Sequence, residues 1–167
     1  MLPALPSAIA LQKVAERLAA KLFPGSVLCL SGDLGTGKTT FVKGLGRGLG
    51  CPTEPTSPTF SLIDEHFGGR LPLYHVDLYR LTPDQVPSLH LEAYGSGVDF
   101  PLGVLAVEWP ERLPHAFPEC LHLQWVGPET GTENGLEGCR LRVTAVGDRH
   151  GMLRDFLLAL FPGSPNL

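Results

Sequence analysis

Eight consecutive residues, Gly32-Asp33-Leu34-Gly35-Thr36-Gly37-Lys38-Thr39, constrain this chain more than any other stretch. They fit G-x-x-x-x-G-K-[ST] without a mismatch. Such a loop has to connect a buried strand to a helix. The glycines let successive backbone N–H groups turn inward as an anion nest. Lys38 brings a cation to the β- and γ-phosphates, and the Thr39 hydroxyl is a hard oxygen ligand for Mg²⁺. A helix starting near Lys38 adds its positive end. The flanks agree with this. Val27-Leu28-Cys29-Leu30 is a short apolar run suited to a strand covered on both faces, and Lys38 to Leu49 reads as the following helix. The reading is a nucleotide triphosphate site spanning Gly32, Asp33, Leu34, Gly35, Thr36, Gly37, Lys38, Thr39 and Thr40, with Mg²⁺ on Thr39. The competing reading, a chance glycine-rich turn, requires neither the strand nor the helix.

The remaining chain suits one domain over residues 1–167. Thirteen Lys and Arg against seventeen Asp and Glu give a net charge of -4, the wrong sign for a protein that grips tRNA or DNA alone. Cys29, Cys51, Cys120 and Cys139 lie far apart, with no CxxC pair and no zinc spacing, so they read as reduced packing thiols. The N-terminus has no basic region followed by an apolar core, and no apolar run is long enough to cross a bilayer. A soluble cytoplasmic protein with no membrane partner is expected.

Ser7 reads as a helix N-cap, with Leu11, Val14, Ala15, Leu18, Ala19 and Leu22 on one stripe and Pro24-Gly25 as the stop. Gly44, Gly46 and Gly48 each cost the second helix about 1 kcal/mol, so it either packs closely or ends early. Residues 59–67 and 71–78 read as an antiparallel hairpin turning at Gly68-Gly69. Pro83 to Glu92 reads as a short helix and Tyr94 to Gly103 as a loop. Val104 to Val107, Leu121 to Val126 and Cys139 to Val146 read as strands. Met152, Leu153, Phe156, Leu157 and Leu160 line a last helix. This order predicts an α/β fold, a P-loop NTPase-like three-layer sandwich around a mixed, mainly parallel sheet.

A phosphate loop of this kind needs a carboxylate near the metal. Glu108 closes the run Val104-Leu105-Ala106-Val107, where it would hold Mg²⁺ directly, hold it through water, or orient an attacking water. An ordinary glutamate at a strand end is the alternative. Asp77 closes Leu73-Tyr74-His75-Val76, and alternation puts His75 and Asp77 on one face. A capping or turn aspartate is equally compatible with that run, and a lone histidine such as His75 is more often packed than catalytic. Thr56-Ser57-Pro58-Thr59 offers hydroxyls suited to a loop that senses the γ-phosphate, or to a plain turn. Trp109 either packs on the phosphate loop or meets a partner.

The only asparagines, Asn134 and Asn166, are followed by Gly and Leu, so the N-K-x-D guanine reader is absent. No LSGGQ-like signature occurs, and the arginines are scattered rather than clustered as phosphate clamps. Four blocks then resemble the TsaE family: residues 31–41, Ser57-Pro58-Thr59-Phe60-Ser61-Leu62, His75-Val76-Asp77-Leu78-Tyr79-Arg80-Leu81, and Val107-Glu108-Trp109-Pro110-Glu111-Arg112. The resemblance covers nearly the whole chain. It implies an accessory ATPase that binds ATP or ADP with Mg²⁺ and hydrolyses ATP slowly alone. It implies work with TsaB and TsaD in threonylcarbamoylation of tRNA adenosine next to the anticodon, with tRNA met through the complex. It implies Thr39 and Glu108 at the metal, Asp77 and Glu108 as catalytic acids, Trp109 near the nucleotide, and Ser57 and Thr59 in a switch-like loop. Leu11 stands where the family often has a threonine near the adenine, and Glu92 to Leu102 departs from the family's acidic, aromatic segment. A small-molecule P-loop kinase and a passive nucleotide-binding module are the competing functions.

Overall fold

A computed structural model gives the fold and describes residues 1–3, 7–127 and 140–161. Helix α1 (Ala8–Ala19) is capped by Ser7, whose Oγ accepts the Ala10 N–H at 3.2 Å. This bond satisfies one of the four backbone donors that a helix start leaves free. Strand β1 (Ser26–Ser31) follows, then the phosphate loop and helix α2 (Lys38–Leu49). Strands β2 (Ile63–His66) and β3 (Leu73–Asp77) form the expected antiparallel hairpin. A one-turn helix α3 (Ala93–Ser96) precedes β4 (Val104–Glu108). Strands β5 (Cys120–Val126) and β6 (Arg140–Val146) and helix α4 (Gly151–Ala159) complete the described elements.

The strands run in the order β2-β3-β4-β1-β5-β6. The pairs β3/β4, β4/β1 and β1/β5 are parallel, and antiparallel strands close both edges. Every residue of β3 and β4 is buried. Alternation divides these side chains between two cores. Leu28, Leu30, Leu73, Val104, Ala106, Leu121 and Leu123 pack beneath α1, α2 and α4. Tyr74, Val76, Leu105 and Val107 pack on the other face against Val86, Leu91 and Tyr94. The second outer layer is therefore made of short turns and α3 rather than long helices.

The glycines of α2 are explained by this packing. A Cβ on Gly44 would lie 2.7 Å from the Ala15 Cβ, and one on Gly48 would lie 2.6 Å from the Ala19 Cβ. Gly46 abuts Pro55. Helix α2 keeps its full length because α1 fits against it where side chains are missing.

Three expectations change. Residues 59–62 are a turn, not strand: the Leu62 N–H donates to the Pro58 carbonyl at 2.6 Å, and Leu62 has φ 67°. The Pro83 to Glu92 segment forms only a 3₁₀ turn over Val86–Leu89, where Pro87 permits no longer ladder, and α3 forms in the expected loop. Met152 is exposed, so Leu153 and Leu157 carry the buried face of α4. Strand β6 is described over Arg140–Val146 as expected, and Cys139, the first residue of the expected strand, lies outside the described residues. Cys29 and Cys120 are buried free thiols, and Cys51 is half-buried.

Candidate active site

The site lies where β1, β4 and β3 end side by side. In the phosphate loop, Gly32, Gly35 and Gly37 have φ of 147°, 77° and 101°, conformations that side chains rarely tolerate. Gly37 is the N-cap of α2, whose first turn carries no acidic residue. Thr36 Oγ1 donates to the Asp33 carbonyl at 2.8 Å and braces the loop. Lys38 is 4% exposed, and its Nζ donates to the carbonyls of Gly32 at 2.6 Å and Asp33 at 2.7 Å. Burial pushes the Lys38 pKa down, against the nearby carboxylates of Glu108, Glu111, Asp77 and Asp33, which pull it up.

Parallel pairing of β4 with β1 sets Glu108 opposite Leu30, at the root of the phosphate loop. Pairing with β3 sets Asp77 beside Glu108. Glu108 is 3% exposed and receives Thr39 Oγ1–H on Oε1 at 2.8 Å. His75 Nε2 meets the same oxygen at 2.8 Å. Asp77 serves the other side: its Oδ2 accepts from Thr59 Oγ1 at 3.0 Å and from Ser57 Oγ at 3.5 Å, and its Oδ1 accepts the Tyr79 N–H at 3.0 Å. The hydroxyl loop is thus tied to the strand that ends at Asp77.

A cavity of about 250 Å³ opens between these groups. Leu34, Gly35, Gly37, Lys38, Thr39, Thr40, Ser57, Thr59, Asp77, Glu108 and Trp109 all line it, joined by Tyr79. Gly32, Asp33 and Thr36 do not line it, and Gly32 and Asp33 border a second cavity of about 670 Å³. Trp109 borders both cavities. Its backbone is left-handed at φ 61°, its ring lies 4.2 Å from Lys38 Nζ, and Tyr79 packs against it at 4.9 Å. Burying a charged amine under an indole face gives it a cation–π partner. Of the two expectations for Trp109, packing on the loop is the one seen. Leu11 is 1% exposed inside the core and cannot touch a base.

Mg²⁺ fits this donor set. Thr39 and Glu108 supply two hard oxygens beside a phosphate nest, and Mg²⁺ takes one or two protein oxygens with phosphates and water. Among the described residues no three His, Cys, Asp or Glu converge as a metal cage. Tyr79 was not singled out from the sequence, and His75 was placed beside Asp77 without its contact to Glu108. The alternation that put His75 and Asp77 on one face was visible, but the pairing of β3 with β4 that aims His75 at Glu108 was not.

The strand–loop–helix unit, the neighbouring strand ending in a carboxylate, and the mainly parallel sheet define a P-loop NTPase-like fold. The family model described as threonylcarbamoyl adenosine biosynthesis protein TsaE matches residues 5–134. A Synechocystis protein named tRNA threonylcarbamoyladenosine biosynthesis protein TsaE is 53% identical over 110 residues, 66% of this chain and 70% of the relative. A Bacillus subtilis protein of the same name is 42% identical over 144 residues, 86% of this chain and 85% of the relative. The crystal structure of Bacillus subtilis YdiB superposes with a TM-score of 0.68 at 37% identity, covering 92% of this chain and 90% of that one. This chain belongs to the TsaE family.

Proposed function

We propose that this protein is a Mg²⁺-dependent ATPase that supports threonylcarbamoylation of tRNA adenosine next to the anticodon, as a cytoplasmic accessory to proteins of the TsaB and TsaD kind. The biosynthetic role follows the names its relatives carry. One observation carries the ATPase reading: Thr39 Oγ1 and Glu108 Oε1 lie 2.8 Å apart at the mouth of the phosphate loop. In this reading the inward N–H groups of residues 35–39 and the Lys38 ammonium bind the phosphates of ATP or ADP. Thr39 and Glu108 hold the Mg²⁺, which when bound neutralises phosphate charge. Glu108 holds the ion through Oε2, which receives no donor among the described residues and faces the metal and the attacking water, whose proton it takes. Asp77, through Thr59 and Ser57, ties the switch-like loop to the site, so that a γ-phosphate reaching those hydroxyls changes the loop.

The partner reading rests on the surface around the cavity. Leu34 is 72% exposed, Phe60 85% and Tyr79 41%, and the Arg80 guanidinium stacks on Phe60 at 4.3 Å. Leu34 and Tyr79 line the cavity, and exposed apolar side chains beside it would suit contact with a protein partner. The net charge of -4 leaves tRNA contact to the partners. No helix among the described residues is long and apolar enough to cross a membrane. A small-molecule kinase would clamp a second phosphate-bearing substrate. Among the described residues lining the cavity, Lys38 is the one cation and no arginine appears, so that reading has no support here.

The test is ATP hydrolysis by the purified protein, alone and with cognate TsaB, TsaD and tRNA, for wild type and Glu108→Ala. Stimulation that Glu108→Ala abolishes is the expected result. Strong stimulation by a phosphorylated metabolite, with none by the proteins, would replace the proposal with the kinase.

A further inference from the structure

His75 is wholly buried on β3, one of the most costly places for an imidazole that does nothing. Its polar contact is the Glu108 carboxylate: Nε2 lies 2.8 Å from Oε1. Nδ1 has no hydrogen-bond partner among the described residues. This settles the tautomer, because a ring nitrogen this close to a carboxylate oxygen has to carry the hydrogen. His75 therefore donates Nε2–H to Glu108.

The consequence for Glu108 is geometric. Oε1 receives two donors, Thr39 from α2 and His75 from β3. Oε2 receives none among the described residues, and Glu108 lines the phosphate cavity. Two donors from different elements, converging on one oxygen, fix the carboxylate's rotation. The Thr39 hydroxyl is also wanted by an incoming metal, whereas the His75 N–H points from the core and is not reached by ligand. His75 is the donor that stays when the site is occupied. The register makes this arrangement possible: His75 pairs with Ala106 and Asp77 with Glu108, so His75 reaches diagonally across adjacent parallel strands, over a methyl rather than a bulky side chain.

We propose that His75 is the positioning residue of this site: its Nε2–H holds Glu108 by Oε1, so that the carboxylate presents Oε2 to metal and water. The inference rests on the ATPase reading of the same cavity. It assigns His75 no contact with nucleotide. A group that holds a metal's protein ligand in place typically costs about 10- to 100-fold in activity or metal affinity when removed.

The test compares His75→Gln with His75→Met, side chains of similar length of which only Gln can donate to Glu108. Three quantities are measured: kcat and KM for ATP hydrolysis, the gain in ADP affinity when Mg²⁺ is added, and the Tm of nucleotide-free protein. His75→Met is expected to lower kcat by about 10- to 100-fold and to shrink the Mg²⁺-dependent gain in ADP affinity, with the KM for Mg²⁺-ATP rising in step and ADP affinity without Mg²⁺ changed by about twofold or less. His75→Gln is expected to restore both quantities to within about threefold of wild type. If His75→Met does not fold, His75→Asn takes its place, since its amide is too short to reach Glu108. Unchanged kcat and Mg²⁺ gain in the Met or Asn variant would overturn the proposal. Equal losses in Gln and Met at similar Tm would also overturn it, because the N–H would then not be the active feature. If the wild type hydrolyses no ATP under any condition, the ATPase reading falls, and the Mg²⁺ gain in ADP binding still decides the role of His75.

Discussion

Two fully buried histidines each face a glutamate, at opposite ends of the parallel strands, and their surroundings differ in kind. At the carboxyl ends, His75 and Thr39 reach Glu108, which is 3% exposed and receives side-chain donors only. At the amino ends, His150 Nε2 accepts the Val27 N–H at 3.1 Å, and its Nδ1 faces Glu119 Oε2 at 3.7 Å. Glu119 in turn accepts backbone N–H groups of Asp148 at 3.2 Å and Arg149 at 3.1 Å. Main-chain partners make the second cluster a joint that ties β1 and β5 to the start of α4. Side-chain partners around a cavity make the first cluster a candidate site. The same two residue types tie backbone segments together in one place and line a cavity in the other, where we propose that they serve chemistry, and the identity of their partners distinguishes the two.

Removing the cation at the site end should have the largest effect. Lys38→Ala is expected to weaken ATP and ADP binding on the order of 100-fold by calorimetry, the loss of charge-assisted bonds to phosphate. Unchanged affinity would remove the phosphate loop from the account and with it the contrast between the two ends. At the joint, His150→Leu strands the Val27 N–H in the interior. It is expected to cost about 1–3 kcal/mol in denaturant unfolding while leaving kcat for ATP unchanged. A fall in kcat at constant stability would show that the amino-end cluster is no mere joint.

A smaller effect separates the two ends by pH. Burial pushes the pKa of His66, His122 and His150 down from 6.5, against the carboxylates Asp64, Glu111 and Glu119 respectively, which pull upward. The unfolded chain therefore takes up these protons first. The stability they contribute is complete above about 6.5 and is lost as pH falls through that value toward the lowered folded values. Tm should be lower at about pH 5.5 than at about pH 7.5, and His150→Leu should flatten part of that slope. A Tm that rises on acidification would contradict the buried neutral joint.

Much of this could be read from the residues. The phosphate loop, the limits of α2, the hairpin and the carboxylate at the end of β4 all follow from local pattern, because glycine spacing and apolar runs are local constraints. The turn at residues 59–62 was hidden: Thr59-Phe60-Ser61-Leu62 alternates like a strand, yet Thr59 is drawn to Asp77 and leaves Phe60 exposed. The role of His75 depended on which strands are neighbours, a property of sheet order that no single segment carries. The left-handed backbone at Trp109 was equally invisible, since a bulky residue gives no sequence sign of positive φ. The glycines of α2 left close packing and an early end both open in the sequence, and α1 lying against Gly44 and Gly48 decides for packing.

The most direct test sets the two glutamates side by side, Glu108→Gln against Glu119→Gln, measuring ATP hydrolysis, ADP affinity and Tm for each. Glu108→Gln is expected to lose about 100-fold or more in hydrolysis, with nucleotide still bound, and Glu119→Gln to keep full hydrolysis at a lower Tm. Full hydrolysis by Glu108→Gln would contradict the assignment of the reaction centre.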